Sequence, residues 1–105
     1  MIRNRSAGSV NPMGYVEPEI WYQQLPTFYA AAGALITDPD GRILLVKTNY
    51  RDEWTLPGGV LNADERPEAA CAREVQEELG LAIEPSRLLV VDWAPAYGKR
   101  PRPFI

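Results

Sequence analysis

Three glutamates, Glu74, Glu77 and Glu78, stand at i, i+3 and i+4 in the stretch REVQEE. On a helix those positions are surface neighbours. At about 100° per residue the three carboxylates share one arc about 100° wide, while Ala69, Ala72, Val75 and Leu79 lie around the other side. Carboxylates crowded in this way repel one another, and a helix built only for solubility would intersperse lysines. A hard divalent cation relieves the repulsion, and Mg²⁺ takes oxygen ligands while keeping several waters. The plain alternative is a solvated acidic face.

The wider frame decides against that alternative. From Gly59 the chain runs through five residues to Glu65, seven more to Arg73-Glu74-Val75, then one to Glu77-Glu78 and one to Gly80-Leu81. A chance match to that frame is on the order of one in ten million at average residue usage, so composition does not explain it. The stretch resembles the Nudix box, and every position of the pattern is filled. Trp54-Thr55-Leu56-Pro57-Gly58-Gly59 is also a lead-in typical of that family. The resemblance is good from about Tyr29 to about Trp93 and weakens after Pro95.

The local chemistry supports a helix through the box. Pro67 suits the first helical position and Gly80 the residue just past the end. Good helix formers fill the space between. Arg66 stands where relatives often carry a Ser or Thr cap, and its guanidinium has no acceptor to offer. Asp64 is therefore expected to cap the helix, and also to tolerate a left-handed backbone in the preceding turn. Asn62 takes a place that is acidic in many relatives.

Several chemistries are excluded by what the chain lacks. With no histidine there is no Ser-His-Asp or Cys-His triad and no histidine-held zinc. A general base within the chain has to be a carboxylate or, failing that, a lysine or tyrosine. A net charge of −3 gives no support to a backbone-binding nucleic-acid protein, so no nucleic-acid partner is expected. The lone Cys71 rules out an intrachain disulfide and fits a reducing, cytoplasmic setting. Beside Val75 on the helix it reads as a buried packing residue. No apolar run reaches membrane-spanning length, and the N-terminus has no signal-peptide core.

In chain order, residues 1–26 read as a flexible lead-in, with a short helix over Glu19–Leu25 that Pro26 ends. Trp21 and Tyr22 are expected to lie against the domain or a partner chain. Residues 27–105 form the domain. Thr27–Thr37 and Arg42–Thr48 read as strands joined by the Asp38-Pro39-Asp40-Gly41 turn. Gly33 suggests close backbone approach within the first strand. Ser86–Trp93 reads as a third long strand, and Pro103-Phe104-Ile105 as the start of another.

The family resemblance implies an α/β (α+β) fold, an α/β/α sandwich around a mixed sheet. The family's later strands and second helix are not in this chain. That is read as truncation, with a homodimer completing the sheet through exchanged or edge-paired strands as the alternative. The resemblance also implies Mg²⁺-dependent hydrolysis of a nucleoside diphosphate linked to another group, a small-molecule substrate, with Mn²⁺ as a substitute metal. Glu77 and Glu78 are then the principal metal ligands. Glu74 is a third ligand or, through a metal-bound water, the base. Glu65 stands behind them or adds a ligand, and the Gly59 (or Gly58) carbonyl often joins the metal. Arg73 is expected to orient Glu65 or Glu74. Trp54, Tyr97 and Arg100 are weaker candidates for substrate contact, each with a packing or solvated-loop alternative. A regulatory module that binds nucleotide without turnover is the competing class.

Overall fold

The computed structural model describes residues 14–105. The part of the expected lead-in that precedes Gly14 lies outside the described residues. Two helices and small antiparallel sheets make an α+β fold. The elements are α1 (Pro18–Gln24), β1 (Ala31–Gly33), β2 (Val46–Lys47), β3 (Trp54–Thr55), β4 (Gly58–Val60) and α2 (Pro67–Leu79).

β1 and β4 pair antiparallel, with Ala31 opposite Val60, Ala32 opposite Gly59 and Gly33 opposite Gly58. Backbone bonds carry this pairing beyond both strands: Leu61 N–H donates to the Ala30 carbonyl and Ala34 N–H to that of Pro57. Glycine faces glycine for a steric reason. A Cβ on Gly58 would strike the Ala32 carbonyl and the Gly33 Cα, so the close approach expected at Gly33 is a meeting of two bare backbones. Pro57 is fully buried beneath this pair. It has no N–H to give a ladder, and it lies in the gap between β3 and β4.

β2 pairs antiparallel with β3, Val46 opposite Thr55 and Lys47 opposite Trp54. Between β1 and β2 the turn forms as expected. Asp38 N–H donates to the Arg42 carbonyl, and the Asp38 carboxylate accepts from the Asp40 and Arg42 N–H groups at 2.9 Å each. The Arg42 amide in particular holds that carboxyl below its ordinary range. At the far end, Phe104 bridges Tyr29 in parallel and Ala94 antiparallel, so the C-terminal segment does lie along the sheet.

α2 lies across β1 and β4. The core is Ala34, Cys71 and Val75, flanked by Ala32, Ile36, Leu79 and Ile83. Burial corrects the helical face read from the sequence: the buried positions are Ala70, Cys71 and Val75, while Ala69 is exposed. Alanines on every side of the helix make its apolar period shallow, and the strands beneath choose the face. Gly80 ends the helix in the left-handed region at φ 67°, its N–H bonded to the Gln76 carbonyl. Asp64 has φ 61° but does not cap α2; Arg66 is the N-cap residue and no side chain caps it.

Two further expectations are corrected. Residues Ser86–Trp93 form no strand, and Leu88 and Val90 are 78% and 75% exposed. A strand is held by a partner's N–H and C=O groups; residues 86–93 make no ladder bond to another described segment, although Trp93 packs edge-to-face on Phe28 at 5.6 Å. The helix near the N-terminus exists as α1, but it buries none of its residues. Trp21 and Tyr22 pack edge-to-face on each other, 4.9 Å between ring centroids, with both rings half-open to solvent.

Candidate active site

The acidic face of α2 is built around one guanidinium. Arg73 Nε donates to Glu65 Oε2 at 2.8 Å and Nη2 to Glu65 Oε1 at 2.9 Å, a two-pronged pair between half-buried groups. Its Nη2 also reaches the Val60 carbonyl at 3.0 Å, and its Nη1 reaches Glu74 Oε1 at 3.0 Å. Both Glu77 oxygens lie 3.4 Å from the same Nη1. Arg73 therefore ties α2 to the edge of β4 and to the turn that precedes the helix, and it holds Glu65 and Glu74 in fixed places.

Glu65 is gripped from two sides. Beyond the guanidinium, its Oε1 accepts the Asn62 N–H at 2.9 Å. The turn is closed in the other direction by Glu65 N–H to the Asn62 carbonyl at 3.1 Å. The Arg73 bonds first, and the Asn62 amide second, pull the Glu65 carboxyl down to about 2. The same pairing raises the Arg73 pKa, Glu65 contributing most and Glu74 next. Glu65 is thus an anion throughout the physiological range.

The glycine pair faces the other carboxylates. Glu78 Oε1 accepts the Gly58 N–H at 3.3 Å. A side chain at Gly59 would fall onto the Glu74 carboxylate, so Glu74 rests against bare backbone. Glu74, Glu77, Glu78, Glu65, Arg73 and Gly59 are brought to one place. Among the described residues, however, no three acidic, cysteine or histidine side chains converge as a ready-made metal cage. Arg73 Nη1 instead lies within reach of both Glu74 and Glu77. Sequence reasoning assigned relief of the glutamate repulsion to a cation alone; the chain's own guanidinium supplies part of it. The donors that face the glycine backbone are all oxygen, the set a hard divalent cation takes, and the 3.4 Å contacts at Glu77 are the loosest in the network.

The weaker candidates lie elsewhere in the chain. Trp54 is 64% exposed on β3, with Lys47 Nζ 5.9 Å above its ring, so it is not a core residue. Tyr97 is exposed in a tight turn closed by its backbone bonds to Arg100. Arg100 Nη2 donates to the Pro95 carbonyl at 2.6 Å and its guanidinium lies over the Phe104 ring, which turns it onto its own chain. The Asn62 amide, the Gly58 amide and the Val60 carbonyl were missed from the sequence. Backbone groups leave no mark in a motif beyond the glycines that expose them. Cys71 is buried, and burial pushes its thiol up, as suits packing.

Comparison with known proteins places these features. The NUDIX domain model matches residues 27–104. A MutT-like protein of Streptomyces ambofaciens is 40% identical over 63 residues, 60% of this chain and 41% of the relative. An RNA pyrophosphohydrolase of Pseudomonas fluorescens strain SBW25 is 37% identical over 62 residues, 59% of this chain and 39% of the relative. A protein of the same name from Pseudomonas putida strain F1 is 36% identical over 62 residues. The chain belongs to the Nudix family. It spans about two fifths of the length of these curated relatives. No helix among the described residues is long and apolar enough to cross a membrane.

Proposed function

We propose that this chain carries the catalytic face of a divalent-metal-dependent pyrophosphohydrolase acting on a nucleoside diphosphate linked to another group. The observation that carries the reading is the Glu65–Arg73–Glu74 network, which sets carboxylates against the bare Gly58-Gly59 backbone. Glu77 and Glu78 are the principal metal-holding residues, with Glu74 and the Gly59 carbonyl beside them. A bound Mg²⁺ or Mn²⁺ would neutralise diphosphate charge and acidify a water. Arg73 keeps Glu65 anionic and Glu74 in place. Glu74 is one of the carboxylates that can serve as the base in a chain without histidine.

Two of the relatives are named RNA pyrophosphohydrolase, which adds RNA to the candidate substrates. Recognition of one terminal nucleotide needs no basic backbone-binding surface, so the net charge of −3 does not conflict with such a substrate. Binding without turnover is the second reading, favoured by the lack of a ready three-donor cage among the described residues. An assay panel of dNTPs, ADP-ribose, NADH, diadenosine polyphosphates, a nucleotide sugar and 5′-triphosphorylated RNA tests both. The expected outcome is Mg²⁺-dependent cleavage of at least one member, lost in Glu77→Gln and Glu78→Gln. Wild-type turnover in either variant would remove the metal-holding assignment. Metal-dependent binding with no cleavage across the panel would establish the binding module.

A further inference from the structure

The β2–β3 sheet and the loop that joins its strands carry a second cluster, and the carboxylate face does not use it. A cavity of about 510 Å³ is lined by Lys47, Thr48, Asn49, Tyr50, Arg51 and Asp52. Two aromatic rings stand open beside it, Tyr50 at 81% and Trp54 at 64% exposure. Each has a cation over it: Arg51 lies 5.7 Å from the Tyr50 ring centre and Lys47 Nζ 5.9 Å from that of Trp54. Lys47 is neutralised by Asp52 at 3.0 Å, whereas Arg51 has no carboxylate partner among the described residues. The Thr48 hydroxyl is buried at the cavity wall with no hydrogen-bond partner. A buried hydroxyl left unpaired costs stability, and large exposed rings are poor choices for a loop that only connects strands.

We propose that the loop from Lys47 to Trp54 is a nucleotide-recognition subsite, in which a base stacks on Tyr50 or Trp54 and Arg51 meets a phosphate. Base stacking on aromatic rings is tolerant of base identity, and a guanidinium adds cation–π and phosphate contacts. The same chain segment links the two places. Gly58 follows Trp54 by four residues, so their Cα atoms are separated by at most about 14 Å. Stacked nucleotides along one strand are about 3.4 Å apart, so one ligand can span both. The subsite rests on the reading of the carboxylate face as the diphosphate site. Its ligand is a base with its own phosphate, supplied by a free nucleotide or by the 5′ end of a single-stranded RNA.

The test is a set of binding titrations on the whole chain with three probes: AMP without metal, inorganic pyrophosphate with Mg²⁺, and a 5′-phosphorylated RNA tetramer without metal. AMP and the tetramer read the loop, and pyrophosphate reads the carboxylate face. Tyr50→Ala and Trp54→Ala together are expected to weaken AMP binding about fivefold or more and leave pyrophosphate binding unchanged. Tyr50→Phe, with Trp54 intact, should keep AMP affinity within twofold of the unsubstituted chain, since the ring is retained. A tetramer that binds tighter than AMP, with the difference lost in the double variant, assigns the loop to RNA ends; equal affinities assign it to free nucleotides. The proposal is overturned if AMP does not bind, or if the double variant binds AMP as the wild type does. Either result leaves the diphosphate reading standing as long as pyrophosphate binds with Mg²⁺ and fails to bind Glu78→Gln. Loop-dependent AMP binding without any pyrophosphate binding would sink the diphosphate reading instead.

Discussion

Arg73 joins the stability of the acidic face to its arrangement. Its two-pronged bond to Glu65 needs the planar fork of a guanidinium, which an ammonium cannot reproduce. Arg73→Lys is therefore expected to lower turnover by roughly 10- to 100-fold, the range seen when a group that orients metal ligands is changed. Charge alone would be preserved, so a wild-type rate in that variant would show that geometry is not its contribution. The same pair predicts an acid response. Glu65 is held at about 2 in the fold against an ordinary 4.5. A depressed carboxyl stabilises the fold fully above the ordinary value and loses that contribution as pH falls from about 4.5 toward about 2. Urea midpoints measured across that window should fall with acid in the wild type and fall less in Glu65→Gln. Parallel curves would mean that the pair contributes nothing to stability. The residue scale is also where the sequence was most legible. Fixed spacing places Arg73, Glu74, Glu77 and Glu78 together, because an α-helix has only one way to display them; Glu65, in the turn ahead of α2, is legible only through the resemblance of the whole frame. The pairing of Arg73 with Glu65 or Glu74 is expected from the resemblance, and both bonds form; its bond to the Val60 carbonyl is not legible, since it depends on the edge of β4.

At the scale of elements, Gly58 and Gly59 are adjacent in sequence but serve different neighbours. A Cβ at Gly58 meets backbone, the Ala32 carbonyl and Gly33 Cα, and the residue sits at φ 155°. The three atoms nearest a Cβ at Gly59 all belong to the Glu74 carboxylate, the end of a flexible side chain. Gly58→Ala is expected to destabilise the chain by about 1–3 kcal/mol, the usual cost of forcing atoms into a packed site. Gly59→Ala should leave the melting temperature within a few degrees of wild type and abolish metal-dependent turnover, because Glu74 has to move. Thermal unfolding beside the hydrolysis assay separates the two; equal destabilisation by both would contradict the division. Element boundaries followed from punctuation where punctuation was strong: Pro67 and Gly80 bracket α2, and the turn from Asp38 to Gly41 forms. They failed where β-propensity stood alone. Ser86–Trp93 has the composition of a strand, but propensity reports fitness for a pleated, half-covered surface, and no described segment pairs with it. Arg66 shows the same limit from the other side, because α2 starts there without a side-chain cap and is held by its packing on β1 and β4.

For the whole molecule, the balance of covered and open apolar surface sets behaviour in solution. The buried set is small (Ala34, Ala70, Cys71 and Val75 around the α2 interface) while Leu88, Leu89, Val90 and Val91 form a continuous exposed run. Runs of that kind, high in β-propensity and free of charge and proline, drive edge-to-edge association. Val90→Lys is expected to reduce light scattering at high protein concentration with no change in the circular dichroism spectrum. Unchanged scattering would place the association elsewhere. The position of Cys71 has a separate consequence. The chain's sole thiol sits in the seam between α2 and the β1–β4 pair, so a thiol reagent can reach it only when that seam parts. Its modification rate is a clock for the opening of the element that carries the glutamates. Any molecule that settles on those glutamates and on the strand beneath them clamps the seam and slows the clock. The protein thus carries an internal gauge of occupancy that needs no turnover.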